Sequence, residues 1–158
     1  MYTYLIGVRM IIAEYSVKTN LSATKIWNNL TNVNQWKNWD ETIEFSELDE
    51  PLGNESIGII KHKNHEPTSF MVVEYDHLHR LVEIRKSYFG KFKLYREIVK
   101  GRNGMVTLTQ KIEILNTKSV IFSPFISHSL KSSLARSVNN LLRICMGRKG
   151  QQEFEVAG

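Results

Sequence analysis

The stretch SPFISHSLKSSLARSVNNLLRICMG, residues 123–147, sets the architecture. Ser123 followed by Pro124 is an N-cap and then a proline at the first helical position, where the missing N–H costs nothing. From there Ile126, Leu130, Leu134, Val138, Leu141 and Cys145 recur at spacings of four, four, four, three and four, which is one apolar stripe on a long helix ending near Gly147. A helix with a single stripe must lay it on an apolar surface, so the residues upstream decide the fold.

Those residues read as strands at 9–17, 42–48, 56–63, 68–75, 81–88, 92–99 and 105–115, separated by turn chemistry such as Pro51-Leu52-Gly53, Gly90 and Gly101-Arg102-Asn103-Gly104. In the last three, Val82, Ile84, Phe92, Leu94, Ile98, Val106, Leu108, Ile112 and Ile114 share even numbers, so the even face is expected to meet the helix. Two even sets pair across an odd loop, and Phe89-Gly90-Lys91 and Gly101-Arg102-Asn103 both suit three-residue hairpins. This register sets Arg96 between Ile84 and Leu108, and Lys86 beside Leu94 and Gln110. Lys86, Arg96 and Gln110 interrupt the apolar face and form a polar cluster on it. A buried guanidinium needs an anion or an acceptor, so Arg96 is expected to meet Glu74 on the preceding strand or a ligand carboxylate or carbonyl. The pattern of 68–75 leaves its inward face open, because Phe70/Val72 and Met71/Val73/Tyr75 fit either parity.

Before the sheet, NLSATKIWNNL carries Ser22 as an N-cap and Ala23, Ile26, Trp27 and Leu30 on one helical face. NVNQWKNWDETIEF, residues 32–45, then holds Trp36 and Trp39 in a polar run and reads as a second short helical piece under the open end of the sheet. Trp27 and Trp39 are expected to pack, and Trp36 to reach a ligand. The order of elements, with Ile26-Trp27, the Trp-x-x-Trp-Asp stretch from Trp36 to Asp40, SIG at Ser56 to Gly58 and VVEYDHLHRLVEI at Val72 to Ile84, resembles the START-like (SRPBCC) superfamily, in particular its polyketide cyclase/dehydrase-type group. The resemblance spans about residues 11–146. It implies an α+β helix-grip fold: a six- to seven-stranded antiparallel sheet wrapped around a long C-terminal helix, with two short helices after the first strand. It also implies one ligand-binding domain over residues 1–158, with its core at about 10–147. Met1 to Val8 precede that core and are expected to be dispensable.

Composition narrows the function classes. The chain is 42% hydrophobic and 23% charged, an ordinary globular balance. One cysteine, Cys145, excludes an intrachain disulfide and a cysteine-rich metal centre, which suits a reducing compartment. The N-terminal MYTYLIGVRMIIAEYS lacks a basic n-region and is broken by Arg9, so a cytoplasmic location is expected. Through Asp76 there are 6 basic and 11 acidic residues, and from His77 onward 15 and 5. The basic half is compatible with peripheral contact with an acidic surface. The histidines share no metal-ligand spacing, and HEPTS contains Pro67 and lacks a second histidine one turn later. Gly101-Arg102-Asn103-Gly104 joins two strands and is a hairpin, not the nucleic-acid loop of a KH domain. No metal, cofactor or nucleic acid is therefore expected, and the sequence does not set an oligomeric state.

Two readings of function follow. The first is binding of a small hydrophobic, lipid- or polyketide-like ligand between sheet and helix, with Arg96, Gln110, Lys86, Glu74, Tyr88 and Trp36 as ligand-binding candidates. The second is a polyketide cyclase/dehydratase-type enzyme in the same cavity, for which Glu74, Tyr75, Tyr88 and, on the outer face, Tyr95 are the available acid–base types. No catalytic motif selects among them. A mostly apolar cavity favours the first reading, and polar groups converging on one point favour the second.

Overall fold

The computed structural model describes residues 10–87, 90–115, 124–147 and 155–156; residues 1–9, Tyr88 and the Ser123 cap lie outside them. The chain runs through β1 (Met10–Thr19), α1 (Ala23–Thr31), a 3-10 helix (Val33–Asn38), β2 (Ile43–Glu47), β3 (Ile57–His62), β4 (Thr68–Asp76), β5 (Arg80–Ser87), β6 (Gly90–Lys100), β7 (Val106–Ile114), α2 (Pro124–Met146) and β8 (Glu155–Val156). The strands form one antiparallel sheet in the order β2-β3-β4-β5-β6-β7-β1-β8. The first seven are the strands expected from the sequence. β8 is an addition, pairing Val156 with Val17 and Glu155 with Lys18.

Helix α2 lies on β1, β7 and α1. Its stripe packs as the periodicity requires, with Leu134, Val138, Leu141 and Cys145 buried, Leu142 added on the side toward α1, and Leu130 half-buried. Helix α1 starts where Ser22 Oγ accepts the Lys25 N–H at 3.4 Å, and it buries Ala23, Ile26, Trp27 and Leu30. In the 3-10 helix the Trp36 indole N–H donates to the Leu30 carbonyl at 2.8 Å, tying that turn to α1. All three tryptophans are buried. Gly58 is required by a close approach, since a Cβ there would lie 2.4 Å from the Phe70 ring, whose centroid is 5.2 Å from that of Trp36.

Two hairpins depart from the expected register. Ser87 pairs with Gly90, so only residues 88 and 89 join β5 to β6. Gly90 adopts φ 117°, a conformation open to glycine, which lets β6 begin at once. The even loop reverses the parity of β5. Leu81, Glu83 and Arg85 stand beside Arg96, Leu94 and Phe92 on the inner face, while Val82, Ile84 and Lys86 point outward. Val82 is buried all the same, but in neither core cluster; its cross-strand neighbours on the outer face are Glu74 and Tyr95. Between β6 and β7 the loop is five residues, 101–105, closed by the Gly101 N–H donating to the Met105 carbonyl at 2.7 Å. Its odd length preserves parity but slides the register by two, so Arg96 faces Gln110 and not Leu108.

A bulge at Val73 resolves the open parity of β4. Pairing with β5 shifts between Val72 and Glu74. Phe70 and Val72 therefore point inward before the bulge, and Tyr75 packs on the core after it, while Glu74 turns to the outer face.

Candidate functional site

The inner face of β5 and β6 carries three fully desolvated charges. Glu83, Arg85 and Arg96 are 0%, 3% and 0% exposed. Glu83 sits between the two arginines: Arg85 Nε donates to its Oε2 at 2.7 Å, and Arg96 Nη1 pairs with its Oε1. The guanidiniums also lie over the Trp36 ring, at 5.0 Å for Arg85 and 4.7 Å for Arg96, and Arg96 lies 5.5 Å from Trp39. Desolvated cation–π contacts of this kind contribute about 2 kcal/mol each. Burial pulls both guanidiniums down to about 10, and the carboxylate of Asp40 opposes that shift, so both stay charged at neutral pH.

Above this cluster, a cavity of about 660 Å³ opens between the sheet and α2. Its walls are Phe92, Leu94, Ile112, Leu130 and Leu134, its outer lining carries the exposed Lys63, His65, Glu66 and Lys86 and the half-buried Thr68, Ser87 and Ser133, and its inner polar lining falls into two groups. One group holds Arg85, His62, Thr42 and Asp40; the other holds Gln110 and Ser137. Asp40 Oδ1 accepts from the Thr42 N–H at 3.0 Å and from the Thr42 hydroxyl at 2.7 Å, and Thr42 Oγ1 lies 3.2 Å from His62 Nδ1. Burial, then the neighbouring Arg85 charge, pushes the His62 imidazole down to about 4, so it is neutral at physiological pH. At the other group the Ser137 hydroxyl reaches Gln110 Oε1 at 3.4 Å. By register, Arg85 and Gln110 are two strands and four residues apart, with Leu94 and Ile112 on the row between. That puts their Cα atoms roughly 16 Å apart. Besides Trp27 Nε1, Trp39 Nε1 and atoms of the Arg96 guanidinium, whose residues do not line the cavity, two donors of lining residues, Arg85 Nη2 and Gln110 Nε2, are buried with no hydrogen-bond partner among the described residues.

The six residues singled out from the sequence are dispersed. Gln110 lines the cavity from the floor, and Lys86 edges it as an exposed side chain. Arg96 lies beneath the lining, against Glu83 and the tryptophans. Trp36 is likewise behind the wall, stacked on guanidiniums and on Phe70. Glu74 is not the partner of Arg96: it sits on the outer face and pairs with Arg80 at 3.2 Å. Tyr88 is outside the described residues. Of the acid–base types, Tyr75 packs 5.5 Å from Trp27 and Tyr95 donates to Glu113 on the outer face. Sequence reasoning missed Arg85, Glu83, His62, Thr42 and Asp40. The signal for the first two was present, because an odd-face reading of 81–85 as Leu-x-Glu-x-Arg would have supplied the carboxylate that Arg96 requires.

No protein-family model matches the chain, and no curated protein matches it in sequence. Solved structures do. The crystal structure of Ara h 8.0201 superposes with a TM-score of 0.69 at 6% identity, covering 89% of this chain and 100% of that one. DynU16, a protein of the dynemicin biosynthetic locus, superposes with a TM-score of 0.66 at 14% identity over 87% of this chain, which spans about half of DynU16 (48%). Among the described residues no helix is long and apolar enough to cross a membrane. Sheet order, capping helices and the long C-terminal helix together give this chain the helix-grip fold that it shares with these structures.

Proposed function

We propose that the chain is a ligand-binding domain with its core at about residues 10–147, holding a small hydrophobic molecule with an oxygen acceptor in the cavity between sheet and α2. The observation that carries this reading is the cavity itself, walled by Phe92, Leu94, Ile112, Leu130 and Leu134, with two partnerless donors, Arg85 Nη2 and Gln110 Nε2, buried in residues that line it. A buried donor left unpaired costs about 1–3 kcal/mol, and a small side-chain rotation that turns it toward a ligand oxygen in the cavity removes that cost. The apolar wall between the two donors supplies the rest of the affinity through burial. Arg85 takes the polar role that the sequence suggested for Arg96, and Arg96 supports it from behind through their shared carboxylate.

The separation of the two polar groups favours binding over catalysis, because acid–base chemistry needs its groups gathered around one reacting atom. A cyclase-type reaction is the second reading, favoured by the Asp40–Thr42–His62 chain of hydrogen bonds at the cavity wall. The test is a titration with an apolar naphthalene fluorophore on the native protein and on Ser133→Trp. Ser133 is a half-buried lining residue of α2, so the indole fills the cavity without removing core. Binding should be saturable in the native protein and lost in the variant at an unchanged melting temperature. Equal binding by both would remove the cavity as the site.

A further inference from the structure

The Arg85 end of the cavity has a hydrogen-bonding polarity that selects a class of ligand head. Thr42 owns one hydroxyl proton. The Asp40 carboxylate can only accept, and it takes that proton at 2.7 Å. Thr42 Oγ1 therefore meets His62 Nδ1, 3.2 Å away, as an acceptor, and the imidazole proton must sit on Nδ1. His62 Nε2 is left as a bare lone pair. The ring's one side-chain hydrogen bond among the described residues is to Thr42, and His62 lines the cavity together with Arg85. Arg85 Nη2 offers the opposite polarity, a buried N–H with nothing to donate to.

Charge decides between a neutral and an anionic head. Arg85 and Arg96 are balanced by Glu83 between them and by Asp40, whose field favours both cations. At the inner end these two positive and two negative groups balance, and the other charges on the lining, Lys63, Glu66 and Lys86, are exposed at the rim, where solvent screens them. A carboxylate would also set its own lone pairs against the bare Nε2. A carbonyl or ether could satisfy Arg85 but would leave Nε2 unpaired.

Resting on the reading of the cavity as a ligand site, we propose that its Arg85–His62 end recognises a neutral hydroxyl head, a phenol or enol on an apolar body, whose oxygen accepts from Arg85 Nη2 and whose proton goes to His62 Nε2. The neutral state of His62 at physiological pH keeps that lone pair available.

Three probes of one shape test this at neutral pH: naphthol, which donates and accepts; methoxynaphthalene, which only accepts; and naphthoate, which is anionic. Naphthol should bind about fivefold to tenfold more tightly than the other two. His62→Phe should bring naphthol down to the methoxynaphthalene level and leave methoxynaphthalene unchanged. The ring-nitrogen chemical shifts of His62 in isotope-labelled native protein give a second readout that needs neither ligand nor variant, and they should report the Nδ1–H tautomer. An Nε2–H tautomer, or methoxynaphthalene or naphthoate binding as tightly as naphthol, overturns the head-group assignment while the cavity stands. Failure of all three probes to bind removes the cavity reading itself.

Discussion

On the inner face of β5 and β6, Glu83 holds Arg85 and Arg96 out of water against Trp36; on the outer face of β5, β6 and β7, Glu97 holds Arg80 and Lys111 within reach of it. Each cluster is one carboxylate between two cations. The outer contacts are 3.2 Å from Arg80 Nε and 3.1 Å from Lys111 Nζ, with Arg80 and Lys111 45% and 25% exposed. Glu97 and then Glu74 favour the charge on Arg80, which is raised above its ordinary range. Geometry is therefore similar on the two faces, and solvent is what separates them. Water screens the outer network through its two solvent-accessible cations and can replace either of them. Inside, the two arginines depend on Glu83, with Asp40 as the other nearby anion, because desolvation has removed water as a partner.

The sharpest way to break this comparison is to neutralise the central carboxylate on each face. Glu83→Gln leaves two buried guanidiniums without the carboxylate they share and should destabilise by about 3–5 kcal/mol in urea unfolding. A loss near zero would mean that the inner cations reach water. Arg96→Met should cost less, about 1–2 kcal/mol, since Glu83 keeps its 2.7 Å bond to Arg85 and the loss of the contacts to Trp36 and Trp39 is partly offset by no longer desolvating a cation. Equal losses from the two substitutions would make Arg96, and not Glu83, the hub.

Acid titration separates the cavity side of the inner face from everything else. His62 is held at about 4 in the folded chain against an ordinary 6.5. As pH falls through this window the unfolded chain takes up the proton first, so stability that is full above 6.5 is lost as pH approaches 4. Solvent screening of this half-buried ring holds the loss to about 1–2 kcal/mol. The difference between the native and His62→Phe stability curves isolates it from the carboxylates that titrate nearby. A parallel pair of curves would show the imidazole to be as well solvated folded as unfolded. The smallest effect belongs to Glu97→Gln on the outer face, about 0.5 kcal/mol, vanishing in about 1 M salt. A loss as large as that of Glu83→Gln would erase the distinction between the faces.

What could be read from the sequence follows the same division. Periodicity carried the strands, α1, the tryptophan turn and α2, because burial on one face writes a repeat that survives without coordinates. The inner face of β5 was misread because the apolar residues Val82 and Ile84 lie on its outer side, and the ion pair that faces the cavity looks, in one dimension, like a solvated edge. Loop parity is the hidden variable: the sequence suggests Gly90 as the middle of a three-residue turn, whereas its positive φ makes it the first residue of β6. Asp40, Thr42 and His62 could not be linked in advance, since β2 and β3 meet across a register shift between Ile43 and Phe45 that no local pattern announces.

The two-residue connection between Ser87 and Gly90 has a consequence for descent. A strand displaced by one position exchanges its faces. A single codon gained in that connection, with β6 and β7 held in place by their own pairing, would turn Leu81, Glu83 and Arg85 away and present Val82, Ile84 and Lys86 to the ligand. No single substitution changes so much of the wall at once. Chains sharing this architecture can therefore diverge in what they hold through the length of one hairpin, and an aligned column at position 85 says little about the cavity until the residues between 87 and 90 have been counted.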